Sequence, residues 1–148
     1  MNRKSEFEIV IVEDNPSDAE LMVRTLKKNQ LVNDLIVLED GEKALEFFLP
    51  DEQLQNEGPT HLPKVIFLDL KLPKVSGLEV LRQLKENNKT KEIPVVIVTS
   101  SKEDPDIDTA YRLGANSYVV KPVNFDDFIK TINHLGIYWL LVNEKYKK

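Results

Sequence analysis

Short, nearly unbroken apolar runs alternate along the chain with segments in which apolar residues recur every three or four positions. Glu8–Val12, Leu35–Leu38, Lys64–Leu68 and Ile93–Val98 are rich in β-branched residues and predict strands. Their continuous hydrophobicity predicts burial on both faces, as in a parallel sheet. Ser117–Val120 predicts a fifth, weaker strand. Between these runs, Ala19, Leu21, Met22 and Leu26 have helical spacing behind Ser17 and Asp18, which are suited to cap a first turn. Leu78, Val80, Leu81 and Leu84 follow Gly77 with the same period, and a further helix is predicted from Asp104 or Pro105 to about Leu113, where Gly114 ends it. The last helix starts near Asn124 and carries Phe125, Phe128, Ile129, Ile132 and Leu135 on one stripe. Five alternations of strand and helix predict an α/β fold, a central sheet with helices on both faces.

Two stretches depart from this pattern. Pro50–Pro63 is a polar connection longer than the few residues that usually join a helix to a strand. After Gly136, Ile137-Tyr138-Trp139-Leu140-Leu141-Val142 is apolar nearly all round, and such a segment needs more than one partner surface. The 148 residues suit one domain, with a core of about 7–135 and a helical extension of about 136–148. A net charge of −5 argues against nucleic-acid or anionic-membrane partners. The absence of cysteine excludes disulfides, thiolate metal sites and a thiol nucleophile. No apolar run approaches the length of a membrane span and Met1–Phe7 is unlike a signal peptide, so the expected compartment is the cytoplasm.

In an open parallel sheet the ligand crevice lies beyond the carboxyl ends of the strands. There the first run ends in Glu13-Asp14, the third in Asp69, the fourth in Thr99-Ser100 and the fifth in Lys121-Pro122. Three carboxylates brought together repel one another unless a cation sits among them. An all-oxygen donor set selects a hard ion such as Mg²⁺, which accepts phosphate oxygens, so the implied substrate is a phosphoryl group. Asp69 is then placed to attack phosphorus, Lys121 to balance the incoming charge, and Thr99 or Ser100 to donate a hydrogen bond to a phosphoryl oxygen. Taken singly, each of these residues also has an ordinary structural use as a cap, turn or surface group. Their coincidence at one sheet edge is what points to chemistry. His61 and His134 read as loop and helix-surface residues, and Lys85–Glu92 as a solvated helix end.

Glu13-Asp14, the run Leu68–Gly77, Val98-Thr99-Ser100 and Tyr118-Val119-Val120-Lys121-Pro122 together resemble the receiver domain of two-component response regulators. The resemblance spans about Glu8 to His134. It implies five parallel strands in the order 2-1-3-4-5 with five flanking helices, the flavodoxin-like receiver fold. It also implies that Asp69 accepts phosphate from a sensor histidine kinase. Asp14, Asp69 and the backbone carbonyl of Lys71 would ligate Mg²⁺ or Mn²⁺, with Glu13 acting through water. Thr99 and Tyr118 would form the switch pair, and Lys121 the phosphate-binding lysine, before a peptide bond to Pro122 that is cis in relatives. Three positions depart from the commoner pattern: Glu13 replaces an aspartate, and Lys71 and Ser101 flank the route of the hydrolytic water.

Two other functions fit such a sheet. An aspartate-nucleophile phosphohydrolase resembles its kin in an Asp-x-Asp motif, but Lys71 holds the place of the second aspartate. A flavin or nucleotide binder needs a Gly/Ser/Thr-rich loop after the first strand, where this chain has Glu13-Asp14-Asn15-Pro16-Ser17-Asp18. The expectation is therefore a stand-alone switch, phosphorylating and dephosphorylating itself, that turns over no external substrate and signals through contacts. In the tail, Trp139 is expected to continue the buried stripe. Tyr138, Leu140 and Leu141 are left for a homodimer interface or a partner, the alternative being that the tail packs back onto its own domain. The long loop and aromatic tail also resemble regulators that serve phytochrome-type kinases.

Overall fold

In a computed structural model, which describes residues 7–28, 34–50 and 62–144, strands and helices follow one another in strict alternation. They are β1 (Ile9–Val12), α1 (Pro16–Lys28), β2 (Leu35–Leu38), α2 (Gly41–Phe48), β3 (Val65–Leu68), α3 (Gly77–Glu86), β4 (Val95–Thr99), α4 (Asp104–Arg112), β5 (Ser117–Val120) and α5 (Phe125–Ile137). A π-helical turn, Tyr138–Val142, extends α5. His61 and most of the Pro50–Pro63 connection lie outside the described residues.

All strand pairs are parallel, in the order β2-β1-β3-β4-β5. Because strand side chains alternate in direction, each strand feeds two cores. Val10, Val12, Ile66, Leu68, Val95 and Ile97 pack with residues of α2, α3 and α4 on one face. Ile9, Ile11, Val65, Phe67, Val96 and Val98 pack with Met22 and Leu26 of α1 and Phe128 and Ile132 of α5 on the other. Burial on both faces holds for β1, β3 and β4 only. The edge strands differ: β2 buries only Leu38 and β5 is half-exposed, because the helix layers do not reach fully over the rims.

Local chemistry sets the helix ends, and here several expectations are corrected. The cap of α1 is Asn15 rather than Ser17 or Asp18: its Oδ1 accepts from the Ser17 and Asp18 amides at 2.9 and 3.1 Å, and Pro16 takes the first helical position. Helix α2, which the apolar spacing left undefined, starts where Asp40 accepts from the Lys43 amide at 2.7 Å, and it buries Ala44 and Phe48. Ser76 caps α3, and Gly114 leaves α4 at φ 105°, a conformation open to glycine.

The stripe of α5 is narrower than predicted. Phe125 is 69% and Ile129 37% exposed, whereas Phe128, Ile132, Gly136 and Leu140 form one buried row at four-residue spacing. Leu140 therefore belongs to the core of its own chain and is not free for a partner. The wider π turn, closed by Asn143 N–H donating to the Tyr138 carbonyl at 2.7 Å, keeps the row facing inward. Trp139 is partly buried beside it, and Tyr138, Leu141 and Val142 are exposed.

Lys85 is not part of a solvated helix end. Its ammonium donates to the Lys91 and Ile93 carbonyls and to Asn116 Oδ1 at 3.1, 2.8 and 3.1 Å, tying α3 to the starts of β4 and β5. His134 is exposed on α5, as expected. The Lys121–Pro122 bond is trans, like every described peptide bond. Trans is the lower-energy isomer of an X-Pro bond, and Lys121 reaches the acidic cluster from it.

Candidate functional site

The sheet ladder itself places the charged groups. Glu13 N–H donates to the Leu38 carbonyl at 3.0 Å, Asp69 N–H to Val12 at 3.0 Å, and Lys121 N–H to Thr99 at 2.7 Å. Each is thus the first residue past its strand and is still held by the neighbouring one. β1 lies between β2 and β3, so the chain order reverses there and leaves a crevice above β1 and β3. Glu13, Asp14 and Asp69 stand at its mouth.

One carboxylate oxygen from each of Glu13, Asp14 and Asp69 lies within 4.8 Å of the others. Glu13 and Asp69 are buried and Asp14 is exposed, so the cluster is open on one side. Lys121 Nζ enters from β5 and meets Glu13 Oε1 at 2.6 Å, Asp18 Oδ2 at 2.9 Å and Asp69 Oδ2 at 3.0 Å. The second oxygen of Asp69 accepts from the Lys71 amide at 3.3 Å. Gly77 makes the close packing of the loop after Asp69 possible: a Cβ there would stand 2.1 Å from the Asp69 carbonyl oxygen.

Burial and charge act differently on the two buried acids. Burial, with the charge of Asp69 beside it, raises the Glu13 carboxyl to about 7 against the pull of Lys121. For Asp69 burial also works upward, but the charge and hydrogen bond of Lys121 and a hydrogen bond from the Thr99 hydroxyl outweigh it and hold the carboxyl below its ordinary value. Burial opposes the charge of Lys121, yet hydrogen bonds to Glu13 and Asp18 and the charge of Asp69 hold its pKa above the usual lysine value. One ammonium thus serves a cluster richer in negative charge than itself. An all-oxygen donor set with this excess suits a hard divalent cation held by Glu13, Asp14 and Asp69.

Behind Asp69, Thr99 is fully buried and its Oγ1 accepts from the Ser101 amide at 3.4 Å. The Tyr118 hydroxyl donates to the Ser101 carbonyl at 2.8 Å, and Ser101 Oγ donates to Asp106 Oδ2 at 2.5 Å. Thr99 and Tyr118 are thereby joined through one residue of the β4–α4 loop, which is in turn tied to the first turn of α4. Ser100 and Lys71 are exposed at the rim of the cluster. Tyr138, Trp139, Leu140 and Leu141 lie in the π turn after α5, away from it.

Asp18 and Asp106 are the residues that sequence reasoning missed in these roles. In the sequence Asp18 reads only as a candidate cap of the first helical turn. Its position three residues after a cap, beside an acidic loop, was the only signal, and its partner lies 103 residues away.

The model of the response regulator receiver domain matches residues 9–133. Among curated proteins, the chain is 39% identical to the probable methanogenesis regulatory protein FilR2 of Methanothrix harundinacea, covering 90% of this chain and 84% of that one. It is 36% identical to response regulator Rcp1 of Synechocystis, over 89% and 88%. Among solved structures, Mn²⁺-bound Rcp1 superposes with a TM-score of 0.83 at 34% identity, covering 94% of this chain and 98% of that one. The phosphorylated cyanobacterial phytochrome response regulator RcpA gives 0.86 at 29%, covering 95% and 99%. The bacteriophytochrome response regulator AtBRR gives 0.68 at 47%, covering 93% and 98%. With that family model matching most of the chain and the sheet order β2-β1-β3-β4-β5, the chain belongs to the response regulator receiver domain family, whose members are signalling proteins of two-component systems.

Proposed function

We propose that this chain accepts a phosphoryl group on Asp69 from the phosphohistidine of a sensor histidine kinase. The N–P bond to the imidazole breaks as an O–P bond to the Asp69 carboxylate forms, and the imidazole leaves with the electron pair. The observation that carries this reading is the meeting of a buried, ionised Asp69 with Lys121 at 3.0 Å on the open side of the sheet edge. Asp69 supplies the nucleophile, Lys121 balances the phosphoryl charge, and the Thr99 hydroxyl is positioned to follow a phosphoryl oxygen. Asp14, Asp69 and the Lys71 carbonyl, with Glu13 through water, are the proposed holders of Mg²⁺, for which Mn²⁺ substitutes. When bound, the ion offsets the negative charge of the carboxylates and of the incoming phosphoryl oxygens.

Phosphorylation is read out through Thr99, Ser101 and Tyr118 at the β4–α4 loop and the exposed side of β5. The output is protein contact rather than turnover of an external substrate. Regulators named for phytochromes among the similar structures support a phytochrome-type kinase as the donor. The exposed Tyr138, Leu141 and Val142 support a homodimer formed through the end of α5. No described helix is long and apolar enough to cross a membrane, which accords with a cytoplasmic site of action.

Incubation with acetyl phosphate and Mg²⁺, followed by intact-mass spectrometry, tests the assignment. One labile phosphoryl adduct is expected in wild type, absent without divalent cation and absent in Asp69→Ala. An adduct that survives in Asp69→Ala overturns the choice of acceptor.

A further inference from the structure

Asp18 has no part in the function described so far, yet it holds one of the three ion pairs of Lys121. An acid at the third position of a helix ordinarily turns back to the amide of the cap residue. Here that amide is taken: Asn15 N–H donates to Glu13 Oε2 at 3.2 Å. Glutamate in place of aspartate at position 13 has the reach for this, touching Asn15 with one oxygen and Lys121 with the other at 2.6 Å. Asp18 is left free to cross to Lys121, and its own amide is fixed by Asn15 Oδ1 at 3.1 Å, so α1 holds the carboxylate in place.

An ammonium has three N–H donors. In this structure they serve Glu13, Asp18 and Asp69. An incoming phosphoryl oxygen can be bonded by Lys121 only if one of these partners yields. Glu13 and Asp69 have other work at the cluster. Asp18 has none there, and it is the most exposed of the three, its side chain 25% exposed against 2% and 8%.

We infer that Asp18 is a positioning residue that restrains Lys121, acting through the lysine to weaken capture of a tetrahedral anion at Asp69. The 2.9 Å pair is made while Asp69 is free and is surrendered when the anion arrives. This inference rests on the function proposed above, in which Lys121 binds the phosphoryl group.

The test uses beryllofluoride, a non-covalent phosphoryl mimic, titrated into the full chain by calorimetry at saturating Mg²⁺. Asp18→Asn keeps the shape and a hydrogen-bond acceptor but removes the charge, and is expected to tighten beryllofluoride binding by about tenfold. Asp18→Glu, which restores the charge, is expected to return affinity toward wild type. In a Lys121→Met background Asp18→Asn is expected to change affinity less than twofold, since the effect runs through the lysine. Equal or weaker binding by Asp18→Asn, Asp18→Glu binding as tightly as Asp18→Asn, or an undiminished gain in the Lys121→Met background overturns the inference while leaving the acceptor assignment standing. Wild type that binds no beryllofluoride sinks both.

Discussion

Gly77 shows how one missing side chain conditions the chemistry. Its backbone lies against the Asp69 carbonyl and the Leu70 Cα, where a Cβ would stand 2.1 and 2.6 Å from them. Both obstacles are backbone, so neither can rotate aside. Gly77→Ala is therefore expected to destabilise the fold by about 3 kcal/mol through overpacking and to shift the acceptor loop. Urea unfolding reads the first effect, and the yield of phosphoryl adduct reads the second. A variant as stable as wild type with full adduct yield rejects the packing argument. Sequence reading noted Gly77 as the residue before a helix and as the end of the run Leu68–Gly77, but not its packing, because nothing local indicates which backbone a glycine must admit.

Lys85 makes the same point for an element. Within α3 it reads as a solvated cation, yet it reaches past the helix end and joins three acceptors contributed by the approaches to β4 and β5. Burial lowers its ammonium from 10.5 to about 8. The unfolded chain therefore binds more protons than the folded one between these values, and the contribution of Lys85 to stability rises with pH across that window. Urea midpoints measured from pH 7 to 10.5 should climb in wild type relative to Lys85→Met, with little change in their difference below about pH 8. Parallel pH profiles for the two proteins count against a lowered Lys85 ammonium pKa. The caps follow a shorter rule. Asn15, Asp40, Ser76 and Asn124 each accept from an amide within the next three residues, so their types are informative in sequence, although choosing Asn15 over Ser17 and Asp18 depended on Pro16 taking the first turn.

For the molecule as a whole, the end of α5 divides its apolar residues between two fates. Leu140 closes the core beneath α1 and α5, and Leu140→Ala is expected to cost about 3 kcal/mol. Leu141, 70% exposed, contributes little to its own fold, and Leu141→Ser is expected to leave the unfolding midpoint of a dilute sample nearly unchanged. If the exposed face pairs two copies, sedimentation should show a concentration-dependent dimer in wild type that Leu141→Ser weakens. A monomer at every concentration removes the dimer proposal. The contrast between these neighbours turns on the i+4 row from Phe128 to Leu140, which a π turn continues beyond the regular helix.

Alternation of apolar runs with helical periodicity was legible because it records local geometry: a strand buried on both faces has to be apolar throughout, and a helix lying on it has to be apolar on one side. Glu13, Asp14, Asp69, Thr99 and Lys121 were legible for a related reason, since parallel strands deliver the residues at and just past their carboxyl ends to the same edge. Strand position alone says nothing of what arrives from elsewhere. That Asp18 meets Lys121, that Lys85 is held by acceptors from two strand approaches and that Leu140 rather than Trp139 completes the buried row were decided by tertiary packing. Each depends on distances between groups far apart in the chain, set only once the helices have docked on the sheet.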